Sequence, residues 1–299
     1  MVRIVKKLET SKETPKGIHN VSNFCYFNSV IQSLISNVDL KNKFLNKKFS
    51  KNQVVSSAFK EFLEDYKNQK SISPSRFVNS LKKKITMLKY QDQEDAHEFL
   101  ILFIDNILNE NFKDEYKVTK EFINEVQKNF FAEKFSGVMR LNFECAVCKN
   151  ETKDSIYEEF RVLTVRIKKN IAAGVKDYFK ISLIDKDCTF CGSKNKTVRK
   201  VYVEQAPNFL IVHIARFTPS KEKDSRKIEI DKSLTLKDKS YEICAVLCHS
   251  GSLNNGHYVS YVKTSSGWIC CDDSSIYKKN PSLDCSNVYI AFYSQIDVN

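Results

Sequence analysis

Two pairs of cysteines in this sequence have the spacing of a metal site. Cys145 and Cys148 form one C-x-x-C pair, Cys188 and Cys191 form a second, and 40 positions separate the two pairs. Four thiolates at this spacing predict a tetrahedral zinc site, and since the protein supplies all four ligands we expect one structural ion. The alternative is that the four cysteines are unrelated small residues buried in a core.

A second group of residues has the types needed for nucleophilic catalysis. Cys25 begins a segment with helical periodicity, and a helix start favours a thiolate through its dipole and unpaired N–H groups. His257 follows a glycine and is a candidate general base, which Asp272 or Asp273 could orient. The order Cys, His, Asp is that of papain. A single cysteine in a helix is usually just packed, so these residues alone leave the triad open.

The helices that position Cys25 are predicted from the apolar periodicity in the first third of the chain. The apolar spacing predicts four helices, the third with Ser73 as N-cap and Pro74 in its first turn. Their predicted ranges are Cys25 to Val38, Val54 to Tyr66, Pro74 to Leu88 and Asp95 to Leu108.

Strand patterns take over from about Phe135, where apolar residues begin to alternate and lead into Cys145. Later runs are short and rich in β-branched and aromatic residues, namely VRKVYVEQ, FLIVHIARF, YEICAVLC, HYVSYVK, GWICCDD and VYIAFYS. Helices first and strands second predict an α+β fold rather than a doubly wound one.

Composition limits the class of protein. The chain has 299 residues, 42% of them hydrophobic, which is ample for a buried core, and we treat residues 1–16 as a polar lead-in. No apolar run has the roughly 20 residues that a membrane helix needs, and the first residues do not resemble a signal peptide. We expect a soluble intracellular monomer whose ten cysteines stay reduced. The net charge of +12 comes from scattered lysines, so it is a weak indication of nucleic acid.

Several ordered motifs carry a resemblance to a known family. Residues 17–34, GIHNVSNFCYFNSVIQSL, resemble the cysteine box of the ubiquitin-specific proteases, which are papain-like ubiquitin carboxyl-terminal hydrolases. NNGHYVSYVK followed by GWICCDDSSI resembles their histidine box, and QEDAHEFL resembles a third signature. The resemblance spans residues 17 to 294 and is nearest in character to nuclear and nucleolar members.

The resemblance implies a fold and a set of catalytic roles. The fold would be a papain-like right hand, with a helical thumb at about 17–130, zinc-bound β fingers at about 135–205 and an antiparallel palm sheet at about 206–299. Its implied site residues are Cys25 as nucleophile, His257 as general base, Asp272 as the group that orients His257, Asn20 as oxyanion donor and Asp273 as an assisting acid.

The implied activity is deubiquitination, the hydrolysis of the bond after the C-terminal glycine of ubiquitin on modified proteins or polyubiquitin. Ubiquitin and ubiquitinated proteins would be the partners, with no organic cofactor. By the same resemblance Asp95, Glu98 and His249 are candidates to contact the ubiquitin tail, whose arginines suit a carboxylate. Asp95 and Glu98 also fit a capping box, and His249 could instead anchor a loop.

Two departures from the family pattern suggest a competing function. Ser22 stands where the family usually has glycine, and Phe24 where it has threonine or serine. Serine adopts positive φ less readily than glycine, so one alternative is a weak or inactive ubiquitin-binding pseudoenzyme. An alternative of another class is a basic zinc-ribbon protein that binds nucleic acid. The sequence leaves nucleus and cytoplasm both open.

Overall fold

Helices make up most of the first half of the chain. The structure is a computed structural model that describes residues 10–296 apart from 70, 90–91, 113–117, 152–154, 195, 219, 221, 253–254 and 282–283. Its helices are α1 (Cys25–Ile35), α2 (Val38–Asn46), α3 (Val54–Asn68), α4 (Ser75–Leu81), α5 (Ala96–Asn111), α6 (Phe122–Lys128), α7 (Phe130–Phe135) and α8 (Ile171–Tyr178). None of the described helices has the length and apolarity to cross a bilayer.

Strands dominate the second half, as the alternating pattern predicts. They are β1 (Gly17–Ile18), β2 (Ser71–Ile72), β3 (Gly137–Cys145), β4 (Ile156–Phe160), β5 (Leu163–Val165), β6 (Ser182–Ile184), β7 (Thr197–Gln205), β8 (Phe209–Ile214), β9 (Ile228–Glu229), β10 (Ser233–Leu236), β11 (Lys239–Gly251), β12 (Gly256–Thr264), β13 (Gly267–Asp272), β14 (Ser275–Lys278), β15 (Asp284–Cys285) and β16 (Val288–Ile296). The α+β class is confirmed.

An eight-stranded sheet forms the centre of the fold. Its order is β14-β13-β12-β11-β16-β8-β5, with β10 paired to β11. All its pairings are antiparallel except that of β5 with β8, which is parallel. Since β5 is Leu163–Val165, the range 135–205 predicted for the fingers contains one strand of the palm sheet.

A separate four-stranded antiparallel sheet projects the cysteine pairs. Its order is β4-β3-β7-β6, and β3 ends at Cys145. The pairing of β3 with β7 runs from Val138 opposite Gln205 to Cys145 opposite Thr197. This sheet fits the zinc-bound β fingers expected from the resemblance.

Two of the predicted helices have different ends. The first stops at Ile35, and α2 starts anew at Val38 because the side chain of Asn37 accepts a hydrogen bond from the Leu40 N–H as an N-cap. The third covers only Ser75–Leu81, with Pro74 at the N-cap position and no capping side chain, so the predicted cap at Ser73 was wrong.

Both faces of the large sheet are buried. One face packs against α1, α3 and α5 through an aromatic core, in which Phe59 stacks on Phe77 with ring centroids 5.7 Å apart. The other face packs against α8, whose Ile171 and Val175 belong to the same buried cluster as the sheet residues Val212 and Val246. The sheet thus holds its loops against α1, which carries Cys25.

Candidate active site

Cys25 lies in the first turn of α1 and is only 3% exposed. Burial raises the pKa of the Cys25 thiol, although the backbone N–H groups of Tyr258 and Tyr26 act in the opposite direction. The helix start therefore has the expected effect, but desolvation outweighs it. The expectation that the helix start lowers the pKa of the Cys25 thiol below its ordinary value was wrong. Since Tyr258 follows His257, its contact with Cys25 brings nucleophile and base into one site.

His257 and Asp272 meet because their strands are neighbours in the large sheet. Strand β12 pairs with β13, with Ser260 opposite Cys271. Nε2 of His257 lies 2.6 Å from Oδ1 of Asp272. With Nε2–H donated to this carboxylate, Nδ1 of His257 is left to accept a proton. Both side chains are partly exposed, at 45% and 35%.

Asp273 holds two carboxamides on the other side of the site. Its Oδ2 accepts a hydrogen bond from Asn20 Nδ2 at 2.9 Å, and its Oδ1 accepts one from Asn28 Nδ2 at 2.8 Å. Its backbone carbonyl accepts from Ile18 N–H, which ties the loop before Cys25 to the hairpin turn. The amide of Asn20 has a second hydrogen for an oxyanion. Nothing in the sequence pattern pointed to Asn28, beyond its being a polar residue in an apolar helix.

The loop before Cys25 has its positive φ at a different residue from the one where the family usually has glycine. The residue with positive φ is Asn23 (φ 52°), not Ser22, and asparagine adopts this conformation more readily than most residues. The N–H of Phe24 donates to Asn20 Oδ1 at 2.9 Å, and the Phe24 ring is fully buried against Tyr26. Neither departure therefore alters the site in the way that motivated the pseudoenzyme alternative.

Asp95 caps α5 through its carboxylate. Oδ1 of Asp95 accepts hydrogen bonds from the N–H groups of His97 and Glu98, which is the N-cap half of a capping box, and Oδ2 accepts one from the Tyr289 hydroxyl. The carboxylate is thus held rigidly in a half-buried position, whereas Glu98 is exposed. The contribution of Tyr289, 194 positions away, could not be seen in the sequence.

His249 lies inside the protein rather than on a loop. It belongs to β11 and is 2% exposed, with its ring against Tyr258 at a centroid distance of 4.4 Å. A Cβ on Gly256 would come within 2.0 Å of its Nε2, so only glycine fits there. Burial leaves His249 no surface for the predicted contact with a ubiquitin tail in this structure, and its position favours the loop-anchoring role. Residues 253–254 of that loop lie outside the described residues.

The four cysteines of the two C-x-x-C pairs form one cluster. Their Sγ atoms all lie within 4.8 Å of one another, with Cys145 to Cys191 and Cys148 to Cys188 both at 3.7 Å. Ligands about 2.3 Å from a tetrahedral zinc stand about 3.8 Å apart. The cluster therefore fits a zinc ion. The hydroxyl of Ser193 lies 3.3 Å from Cys145 Sγ and is placed to hydrogen-bond to this ligand.

Comparison with known proteins identifies the family. The family model described as ubiquitin carboxyl-terminal hydrolase matches residues 16–293, so the chain belongs to this family. Ubiquitin carboxyl-terminal hydrolase 16 of Arabidopsis thaliana is 26% identical over 94% of this chain, which spans 30% of that relative's length. Ubiquitin carboxyl-terminal hydrolase 4 of the same plant is 26% identical over 87% of this chain and 84% of its own length.

Solved structures share the fold. A SAGA DUB module that contains Ubp8 and is bound to monoubiquitin matches with a TM-score of 0.78 and 19% identity, over 99% of this chain and 72% of that one. A yeast SAGA DUB module matches with a TM-score of 0.77 and 22% identity, over 98% and 72% of the two chains. The papain-like fold of the family is therefore shown for this chain.

Proposed function

We propose that this protein is a cysteine-type deubiquitinase that hydrolyses the isopeptide or peptide bond after the C-terminal glycine of ubiquitin. The proposal rests above all on the bond of His257 to Asp272, 2.6 Å long, next to the buried Cys25 at a helix start. This arrangement, in a chain of the ubiquitin carboxyl-terminal hydrolase family, is that of a thiol hydrolase.

The first step transfers the acyl group to the thiol. Nδ1 of His257 takes the proton of the Cys25 thiol, and the sulfur attacks the carbonyl carbon of the terminal glycine. Asp272 stabilises the imidazolium that results. His257 then protonates the leaving amine, which is the lysine side chain or the N-terminus of the modified protein. A water, deprotonated by His257, hydrolyses the thioester and frees Cys25.

Two donors would stabilise the negative oxygen formed by the attack. One is the second N–H of the Asn20 side chain, which Asp273 and the Phe24 N–H hold in orientation. The other is a backbone N–H at the start of α1, that of Cys25 itself. Such donors act in the transition state and therefore affect kcat rather than substrate affinity.

We propose that Asp95 recognises the C-terminal tail of ubiquitin. Its carboxylate is fixed by α5 and Tyr289, while the Tyr258 hydroxyl is 3.5 Å from its Oδ2. An arginine of the tail would displace this long contact and form a charge-assisted hydrogen bond in its place. Glu98 is exposed one turn away and would supply a weaker, screened attraction. Two of the similar solved structures are Ubp8 modules bound to monoubiquitin and to ubiquitin aldehyde.

The proposed activity is tested with ubiquitin carrying a fluorogenic amide at its C-terminus, under reducing conditions. Wild-type protein should release the fluorophore, and Cys25→Ser and His257→Gln should not. Cys285→Ser is the control, because Cys285 is a partly accessible cysteine outside the proposed triad. No turnover by folded wild-type protein would refute the assignment and favour a binding-only role.

A structural zinc ion is part of the proposal. Cys145, Cys148, Cys188 and Cys191 would hold it and so tie the end of β3 to the chain after β6. Because four thiolates would fill its coordination sphere and its ligands are far from His257 in sequence, the ion would add stability and no catalytic chemistry.

We also propose that the protein acts as a monomer in the nucleus or cytoplasm, with ubiquitin and ubiquitinated proteins rather than nucleic acid as partners. The support is indirect. Some of the lysines are paired with acids, as Lys200 is with Glu144 and Glu151, and the charge is scattered along the sequence. Size-exclusion chromatography with light scattering tests the monomer, and a fluorescently tagged chain in cells tests the compartment.

A further inference from the structure

A lysine-rich cavity lies behind the catalytic helix, away from the active site. It has a volume of about 230 Å³ and is lined by Ser11, by residues 13–16, by the second half of α1, by α2 and α3, and by the end of β12. Gln32 in its wall is seven residues after Cys25, about 10 Å along the helix. Its lining includes four lysines, Lys16, Lys41, Lys67 and Lys263. Neither Cys25 nor His257 belongs to it.

Three of these lysines act on one carboxylate through their charges, and one of the three contacts it, while the ammonium of Lys16 donates to the Lys67 carbonyl at 2.7 Å. Lys41 Nζ lies 2.7 Å from Oε2 of Glu13, and this contact, with the charges of Lys16 and Lys67, lowers the pKa of the Glu13 carboxyl. The fourth, Lys263, is paired with Glu242 outside the cavity. The cavity therefore carries more positive charge than the single carboxylate in it neutralises.

Thr14 stands beside Glu13 in the wall of this cavity and is exposed. It precedes Pro15, and a residue before proline is held in an extended conformation. An exposed, extended threonine followed by proline is the form in which a proline-directed kinase takes its substrate. Ser73 and Thr218 also precede prolines, but their hydroxyls are bonded to neighbouring hydroxyls, that of Ser73 to Ser75 and that of Thr218 to Ser220.

We propose that Thr14 is a phosphorylation site and that the lysines of this cavity bind the phosphate. A proline-directed serine/threonine kinase would transfer the γ-phosphoryl group of ATP to Oγ1 of Thr14. The new P–O bond forms as the bond to ADP breaks, and the hydroxyl proton passes to the base of the kinase. The phosphate carries nearly two negative charges with three acceptor oxygens, which the ammonium groups of Lys16, Lys41 and Lys67 can bind.

The site is placed to act on the loop that carries Asn20. The N–H of Lys16 donates to the Tyr66 hydroxyl, and its carbonyl accepts from Gln32. The chain then continues through β1, where the Ile18 N–H donates to the Asp273 carbonyl. A phosphate bound at Thr14 would hold this segment more firmly against α1 and α3.

The first experiment asks whether the hydroxyl is a substrate. The intact wild-type protein and Thr14→Ala are incubated with ATP and a proline-directed kinase, and phosphorylated residues are located by mass spectrometry. We expect Thr14 to be the main site, with its phosphate absent from Thr14→Ala. Phosphorylation at Ser73 or Thr218 with Thr14 unmodified would overturn the proposal.

The second experiment asks whether the lysines bind the phosphate, without relying on a kinase or on activity. Phosphothreonine is placed at position 14 by genetic code expansion, and amide hydrogen exchange is followed. Exchange at residues 11–18 should slow about fivefold. The double variant Lys41→Gln, Lys67→Gln should lose this protection, and Lys12→Gln, on the same segment but outside the cavity, should keep it. Unchanged exchange, or equal protection in the double variant, would refute the lysine site.

Discussion

At the scale of single residues, Asp273 fixes the side chain of Asn20, the proposed oxyanion donor. One carboxylate accepts hydrogen bonds from Asn20 and Asn28, while its neighbour Asp272 accepts one from His257. Its φ of 50° turns the chain between β13 and β14 so that the two acids face different partners. The adjacent carboxylates thus have separate partners: Asp272 holds the proposed base, and Asp273 holds the proposed oxyanion donor.

This arrangement predicts that Asn20 and Asp273 act as a unit. Asn20→Ala should lower kcat about 10²- to 10³-fold, the usual cost of losing one oxyanion donor, with KM little changed. Asp273→Ala should give a smaller loss, since the amide remains but is no longer held. The double variant should be about as slow as Asn20→Ala alone, measured by steady-state hydrolysis of a fluorogenic ubiquitin amide. If the fold-losses in kcat of the two single variants instead multiply in the double variant, Asp273 acts independently of Asn20.

The buried state of Cys25 predicts a specific pH dependence. Because burial raises the pKa of this thiol, its thiolate fraction near neutral pH is below that of an ordinary cysteine and increases as pH rises. Alkylation of Cys25 by iodoacetamide, without ubiquitin, should therefore speed up about tenfold per pH unit between pH 6.5 and 8.5.

Cys285 provides the internal comparison in the same peptide-mapping experiment. A hydrogen bond from Cys248 lowers the pKa of Cys285 to about 6, so its alkylation should be nearly constant above pH 7. If Cys25 reacts at a pH-independent rate over this range, its thiol is already ionised in the free enzyme, contrary to this account.

At the scale of elements, the order of helices and strands follows from the sequence, but several ends and contacts do not. The strand runs and the C-x-x-C spacing are local patterns, and they are where the sequence places them. The break after Ile35 depends on capping by Asn37, which the continuing apolar spacing hides. Contacts such as Asn28 to Asp273, 245 positions apart, arise only when β13 packs beside α1. The pKa of Cys25 likewise depends on tertiary burial, which a helix start does not reveal.

The four-cysteine cluster leads to a prediction for the finger sheet. Removal of zinc by a strong chelator should raise amide exchange first in β3, β6 and β7, because the ion links their ends, and should lower the thermal midpoint. Cys148→Ser should show the same pattern. Cys244→Ser serves as control, since Cys244 is a buried cysteine in another sheet. Equal stability after proven metal loss would refute a structural site.

At the scale of the whole molecule, the sheet and the helices hold the two halves of the site together. Cys25 comes from α1, and His257 and Asp272 come from strands more than 230 positions later. Neither half of the site can therefore function unless the helices are packed against the sheet. The ordered motifs already indicated this pairing, and the family match over residues 16–293 agrees with it. The basic charge, by contrast, carried no such information.

The central claim is that Cys25 is the thiol that attacks the end of ubiquitin. The most direct measurement is labelling with ubiquitin carrying a C-terminal vinyl group, followed by intact mass spectrometry and peptide mapping. Wild-type protein and Cys285→Ser should each form one adduct at Cys25, and Cys25→Ser should form none. An adduct that persists in Cys25→Ser, or folded wild-type protein that forms none, would contradict the account.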